Sequence, residues 1–390
     1  MEYQFQTGTL LLLIAAVVAM LTRRLRLPYS VGLVAAGIML AFLPYAPKIV
    51  LTRELIFTVL LPPLLFESAF YIHWNQLRRN FPVIVVLATL GVLLSAGVTA
   101  AGMHYLANWQ WISALVFGAL IAATDPVSVI ATFKEAKAQG RLLVLIEAES
   151  LLNDGTAAVA FGVVVAIASG QTITSLEISA MLLKAIAGGV LCGAAVALGA
   201  LLLTGRTNDH LVEITFTTVA AYGSFLLADH FSFSGVLATI TAGLVMGNAK
   251  SFSPRGTVAV HAFWEYAAFV ANSLVFILIG MHEAHQNFLT IWLPAAIAIT
   301  LVTLGRAVAI YPCCFLFSHS SLRVTGKHQQ VLFWGGLRGA LALALALGLP
   351  TSIPLREEII TISFAVVAFS VFVQGMTMAP FLKRMGEIPR

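Results

Sequence analysis

Thirteen apolar stretches follow one another along this chain, at approximately residues 7–22, 29–44, 51–71, 81–104, 111–133, 142–168, 176–203, 211–229, 234–248, 258–281, 288–317, 328–349 and 358–381, with only short polar connections between them. A bilayer core takes about 20 helical residues to cross. Most of the stretches meet that length; the second and ninth are short. Backbone groups in hydrocarbon must pair within their own segment or within a closed barrel. Hydrophobic residues make up 59% of the chain and charged residues 10%, a balance that excludes an ordinary soluble domain. The pattern therefore predicts an all-α polytopic membrane protein of about 13 transmembrane helices.

The net charge of +5 does not point to nucleic acid, because the basic residues are dispersed. Their placement follows topology instead. With the N-terminus outside, sixteen lie on the cytoplasmic side, from Arg23, Arg24 and Arg26 through Arg78, Arg79 and Arg141 to Lys383, Arg384 and Arg390. Only Lys48, Arg53 and Arg356 lie opposite, as the positive-inside rule requires. The C-terminus is then cytoplasmic, and the first span, followed by its arginines, reads as an anchor rather than a cleaved signal. Cys192, Cys313 and Cys314 have no metal-like spacing and read as packing residues. HEAH at 282–285 has its histidines three apart, not the zinc-protease four, and is expected in a solvated loop. Asp209, Glu213 and Asp229 are read as solvated ends, and His104, His210 and His261 as residues near span ends. Lys184 is shallow enough to snorkel, whereas Arg306 and Arg338 lie within spans and need partners.

Two spans carry internal breakers. In the fifth, Pro126 lacks an N–H and biases Asp125 away from helical geometry. Thr124 or Asp125 can then cap a new half-helix in mid-membrane. The twelfth, VLFWGGLRGALALALALG, contains three glycines and Arg338 before its terminal glycine. Two interrupted helices seven spans apart, running in opposite directions, suggest inverted repeats, and unwound helices at corresponding positions point to a transporter's substrate site. The expected division is a first six-helix repeat at 1–172, a linker helix at 173–206, and a second inverted repeat at 207–390 with a short cytoplasmic tail.

A charge near the bilayer centre costs on the order of 3 kcal/mol on insertion scales, so acids there mark an ion or proton path. From the helical rise, Asp154 lies roughly 20 Å from one surface and Asp125 roughly 21 Å from the other. The two can be neighbours on adjacent helices. Ser150 and Asp154, four apart, share a face. Glu149 points about 140° away, so the two carboxylates have different tasks. A hard cation wants several oxygen ligands, which Asp154, Ser150, Thr124 and Asp125 can supply; Asn153 reads as a neutral donor and spacer. Desolvation raises a carboxylate's affinity for protons and a bound cation lowers it, so one carboxylate can hold either, each displacing the other. Glu149 and Arg306 are the best buried pair by depth, with Arg338 a second candidate. Glu67, about two turns from the cytoplasmic end of its span, reads as a funnel guard, a distant ligand or an interfacial charge; Glu147 and Glu265 read as funnel or interface charges.

LPPLLFESAF at 61–70, ATDPVSV at 123–129, ESLLNDGTAAV at 149–159, GGLRGALALAL at 335–345 and VFVQGMTMAPFL near the C-terminus together resemble the cation/proton antiporter-1 family, in particular prokaryotic sodium/proton antiporters related to the sodium/hydrogen exchangers. The resemblance implies a fold of thirteen helices with an elevator-like core, a homodimer, no cofactor beyond the transported ion and proton, and a bacterial inner membrane. It implies Asp154 as the transported-ion carboxylate with Thr124, Asp125 and Ser150 around it, Glu149 paired with Arg306, and Arg338 at the second unwound helix. Asn153, where some relatives carry aspartate, resembles the branch that exchanges one cation for one proton. The expectation is a non-enzymatic sodium or lithium/proton antiporter. Potassium export by the same machine is the nearest alternative, followed by a cation channel and an intramembrane aspartyl protease.

Overall fold

A computed structural model describes residues 2–25, 27–43, 52–136, 140–168, 174–284 and 291–388. Arg26, Lys48, His285 and Arg390, named above, lie outside these, as does the expected repeat boundary at 172–173. With no water at hand, an apolar chain satisfies its peptide groups by coiling, and the described residues contain helices and no strand. In order these are α1 (Glu2–Leu25), α2 (Tyr29–Ala41), α3 (Leu55–Tyr71), α4 (Trp74–Leu106), α5 (Trp111–Ile121), α6 (Val127–Glu135), α7 (Arg141–Ala168) and α8 (Ser175–Thr204). Then follow α9 (His210–His230), α10 (Gly235–Gly247), α11 (Pro254–Glu283), α12 (Trp292–Phe315), α13 (Gly326–Trp334), α14 (Ala340–Leu347) and α15 (Arg356–Met385).

Eight of these are individually long and apolar enough to cross a membrane. Three shorter helices, α2, α3 and α10, and two broken pairs, α5–α6 and α13–α14, complete the order of thirteen spans. Ends shift where charge misleads hydropathy. α4 begins at Trp74 rather than near 81, because the polar turn WNQLRRN continues the helix beyond its apolar part. π-Turns at Leu55–Leu60, Leu87–Gly91 and Ser370–Gly375 were invisible to the apolar pattern. The first precedes Pro62 and Pro63, and Pro63 has no N–H to return to Val59; the Tyr222 hydroxyl donates to the Val59 carbonyl oxygen instead, at 3.0 Å.

The helices pack in two groups. α1, α2, α3 and α8–α11 make their extensive contacts with one another, and α4–α7 and α12–α15 do likewise; the contacts between the groups are sparse. Each group draws on both halves of the sequence. Within the first, α2 and α11 meet backbone to backbone: a Cβ at Gly37 would lie 2.1 Å from the Ile277 carbonyl oxygen, and one at Gly280 would lie 2.1 Å from that of Val34. Small residues allow such approach where lipid gives no hydrophobic drive between helices.

Two sequence expectations are corrected. Asp209 and Asp229 are exposed, but Glu213 is completely buried. Its Oε1 accepts from the Ser253 N–H at 3.1 Å, at the start of α11, where a helix dipole favours negative charge. That partner lies forty residues away, beyond the reach of local pattern. The second correction concerns HEAH. His282 and Glu283 form the last turn of α11 rather than a solvated loop. His282 stacks on Phe364 with ring centroids 4.2 Å apart, and Glu283 is buried.

The α2–α11 contact makes a direct prediction. Gly280→Val should destabilise the protein by about 2 kcal/mol through overpacking against backbone, lowering the thermal midpoint in detergent by several degrees. Gly162→Ala, where the added Cβ meets open space, should leave the midpoint unchanged or raise it.

Candidate functional site

The two broken spans cross beside α7. Helix α5 ends at Ile121, Ala123–Pro126 is non-helical, and α6 begins at Val127. Helix α13 ends at Trp334, and Gly335–Gly339 runs uncoiled to α14. Each break strands carbonyls at the end of one half-helix and N–H groups at the start of the next. The chain satisfies them across the crossing. Arg338, 1% exposed, donates through Nη1 to the Ala122 and Ala123 carbonyls, both at 3.0 Å. Arg306 donates to the Leu332 carbonyl through Nε at 3.2 Å and Nη2 at 3.0 Å. An arginine thus sits at the C-terminal end of each first half-helix, where the dipole favours a cation.

Asp125 serves the opposite poles. Its Oδ1 accepts from the Val127 N–H at 3.0 Å, its carboxylate also faces the Ala340 N–H at the start of α14, and its own N–H donates to the Leu337 carbonyl at 2.8 Å. Gly339 permits this: a Cβ there would fall 2.0 Å from Asp125 Oδ2. Gly336 likewise leaves room for a guanidinium, since a Cβ there would fall 2.3 Å from Arg306 Nε.

Helix α7 presents two faces to the crossing. On one, Glu149 and Arg306 form a parallel fork, Nη1 to Oε1 at 2.8 Å and Nη2 to Oε2 at 3.0 Å. Both residues are buried. Asn153, four residues on, donates to Glu149 Oε1 at 3.3 Å and to the Thr124 hydroxyl at 2.8 Å, and its Oδ1 accepts from the Thr124 N–H at 3.1 Å. Ser150 closes the same cluster, its hydroxyl donating to the Thr124 carbonyl and accepting from the Thr124 hydroxyl at 3.2 Å. Thr124 is thereby held at its N–H, carbonyl and hydroxyl.

The other face carries Asp154. Among the described residues nothing donates to its Oδ1, although that atom is shut from solvent. Asp154 lines a cavity of about 230 Å³ with Thr124, Asp125, Ser150 and Gly339–Ala342 on one wall, and with residues of α3 and α11 on the other. Glu67, Glu147 and Glu265 line the same cavity. Glu147 lies in the first two turns of α7, so the space runs from the crossing toward the Arg141 end of that helix. The sequence-derived site residues are thus brought together, with Arg338 bound to carbonyls rather than to Glu149. Sequence reasoning missed the bridging of two helix starts by Asp125 and the presence of Asn272 in the cavity wall. The latter had a signal: one amide within the apolar run AAFVANSLVFILIG.

Two discontinuous helices crossing at mid-span, with a cavity beside them lined by a carboxylate whose Oδ1 has no donor among the described residues, define a secondary-transporter architecture. The family model for the sodium/hydrogen exchanger, transmembrane, matches residues 10–384, and the chain belongs to that family, whose members are transporters rather than enzymes. It is similar to the Na(+)/H(+) antiporter ApNhaP of Aphanothece halophytica, 38% identical over 370 residues that cover 93% of this chain and 70% of the relative. It is also similar to NhaH of Halobacillus aidingensis, 31% identical, with 97% and 96% covered. Among solved structures, the sodium proton antiporter MjNhaP1 from Methanocaldococcus jannaschii shares the fold, with a TM-score of 0.80 at 19% identity and 100% and 99% of the chains covered. The protein is a multi-pass membrane protein of this fold.

The Glu149–Arg306 fork predicts strong coupling. Glu149→Gln and Arg306→Gln should each cost about 3–5 kcal/mol, since either leaves a buried charge unpaired. The double variant should lose much less than the sum, as read by thermal and denaturant unfolding in detergent.

Proposed function

We propose that this protein exchanges sodium, or lithium, for protons across the membrane, one for one and without net charge movement. A carboxylate with one oxygen shut from solvent, and no donor to it among the described residues, can settle its charge by taking a proton or by taking a cation. Asp154 is such a group, and its place in the cavity is the observation that carries the reading. Ser150 and Thr124 lie beside it with oxygens that retain lone pairs for a dehydrated cation. Asp125 completes the wall while its charge holds the two helix starts. Asn153 is neutral, so the site carries one ion-binding carboxylate on α7 rather than two adjacent ones, which supports exchange of a single cation for a single proton. Glu149 is neutralised by Arg306 and takes no part in ion exchange.

Alternating access in this reading is elevator-like: the group holding α4–α7 and α12–α15 shifts against the other, carrying Asp154 between the two surfaces. The sparse contacts between the groups support such a shift. The halves 1–172 and 207–390 are inverted repeats joined by the linker 173–206, a relation supported by the two breaks at corresponding places. The protein works as a homodimer in a bacterial inner membrane, N-terminus outside and C-terminus cytoplasmic, so the cavity opens inward and Glu67 guards its funnel. The names of relatives support sodium over potassium as the cation.

Proteoliposomes carrying an imposed pH gradient test the proposal. Sodium or lithium should dissipate the gradient through the wild type, Asp154→Asn should abolish the response, and a potassium–valinomycin clamp should leave it unchanged. Sensitivity to the clamp would remove the one-for-one stoichiometry. A folded wild type that answers no alkali cation would remove the antiporter reading altogether.

A further inference from the structure

The wall of the cavity opposite Asp154 belongs to the other packing group, and one side chain in it has no evident task. On α11, Glu265, Ala268, Phe269 and Asn272 recur at helical spacing and line the cavity as one face. The next residue, Ser273, turns the other way and hydrogen-bonds the Tyr29 hydroxyl at 2.7 Å. Asn272 is 8% exposed. What exposure remains is onto the cavity it lines, and its amide makes no hydrogen bond within the described residues. An amide that faces only this cavity takes its hydrogen bonds from what fills it, whereas an apolar residue would need none. The chain keeps an asparagine there, inside an otherwise apolar run. Its partner therefore belongs to what enters the cavity.

We infer that Asn272 is a specificity-determining residue for the exchange proposed above, on which this inference rests: its Oδ1 gives the cation bound at Asp154 an oxygen ligand, directly or through one retained water. Amide oxygens are suitable neutral ligands for hard cations. Asp154, Ser150 and Thr124 travel on one packing group and Asn272 sits on the other, so this ligand is available only when the cavity is open as seen here. A neutral oxygen assists a cation but gives little to a proton on a carboxylate. Asn272 thus biases the competition at Asp154 toward the cation and discriminates among cations by the size of the coordination shell.

Equilibrium binding of radioactive sodium to purified protein, together with flux in proteoliposomes, tests this. Asn272→Leu should weaken sodium binding and raise the KM for sodium about fivefold, the loss of one neutral contact. It should shift the lithium KM by a different factor and leave kcat at saturating cation unchanged. Asn272→Asp should lower the sodium KM and move the active range to higher pH, because an added acid binds protons as well as cations. An unchanged sodium affinity in Asn272→Leu would overturn the inference. So would a fall in kcat and thermal midpoint with KM intact, which marks a merely structural amide. If Asn272→Leu does not fold, an unchanged KM in Asn272→Asp overturns it. A wild type that binds sodium without exchanging it would sink the exchange reading while leaving Asn272 to be judged by binding alone; a wild type that binds no sodium would sink both.

Discussion

Peptide groups set free at a helix break inside a membrane have no water to turn to, and each must be given a partner by the protein itself. This structure contains two such breaks, Ala123–Pro126 and Gly335–Gly339, and places them against each other. Once that is so, the charges follow. Two carbonyl ends require positive charge and receive Arg338 and Arg306; two N–H ends require negative charge and share Asp125. Only glycine at 339 and 336 leaves room for these side chains to come so close. Alternatives to this crossing would leave bare backbone in hydrocarbon.

The same constraint separates two carboxylates that stand five residues apart on α7. Arg306, already committed to the Leu332 carbonyl, has a guanidinium edge left over, and Glu149 takes it bidentately. Asn153 then links Glu149 to Thr124 at the first break. One network therefore runs from the second crossing through α7 to the first, every member hydrogen-bonded. Asp154 is left outside it, facing the cavity. A fixed network beside one uncommitted carboxylate is what an exchange site needs: the scaffold keeps its geometry while a single group changes its occupant.

Much of this arrangement was legible in the sequence because bilayers restrict the options so severely. Asp125–Pro126 announced a broken helix, GGLRG a second, and the spacing of Ser150, Asp154 and Glu149 gave the two faces of α7. What stayed hidden depends on contacts far apart in the chain. Arg338 could be seen to need a partner, but nothing local said that the partner would be the carbonyls of Ala122 and Ala123. Glu213 looked like a solvated end because it stands near the start of its span, soon after the polar TNDH at 207–210, whereas its partner is the Ser253 N–H. Hydropathy ended α11 too early for the same reason: His282 and Glu283 are polar but pack within the fold, His282 against Phe364. Asn272 was visible as an amide in an apolar run, and only the cavity gave it a setting.

On the exchange proposed above, proton and cation occupy Asp154 in turn. Calorimetric titration of the purified protein with sodium, repeated in buffers of different protonation enthalpy, counts the protons released as the cation binds. At a pH where the site begins protonated, about one proton should be released per sodium bound, with neither binding nor release in Asp154→Asn. Sodium binding to the wild type with no proton release under those conditions would contradict it.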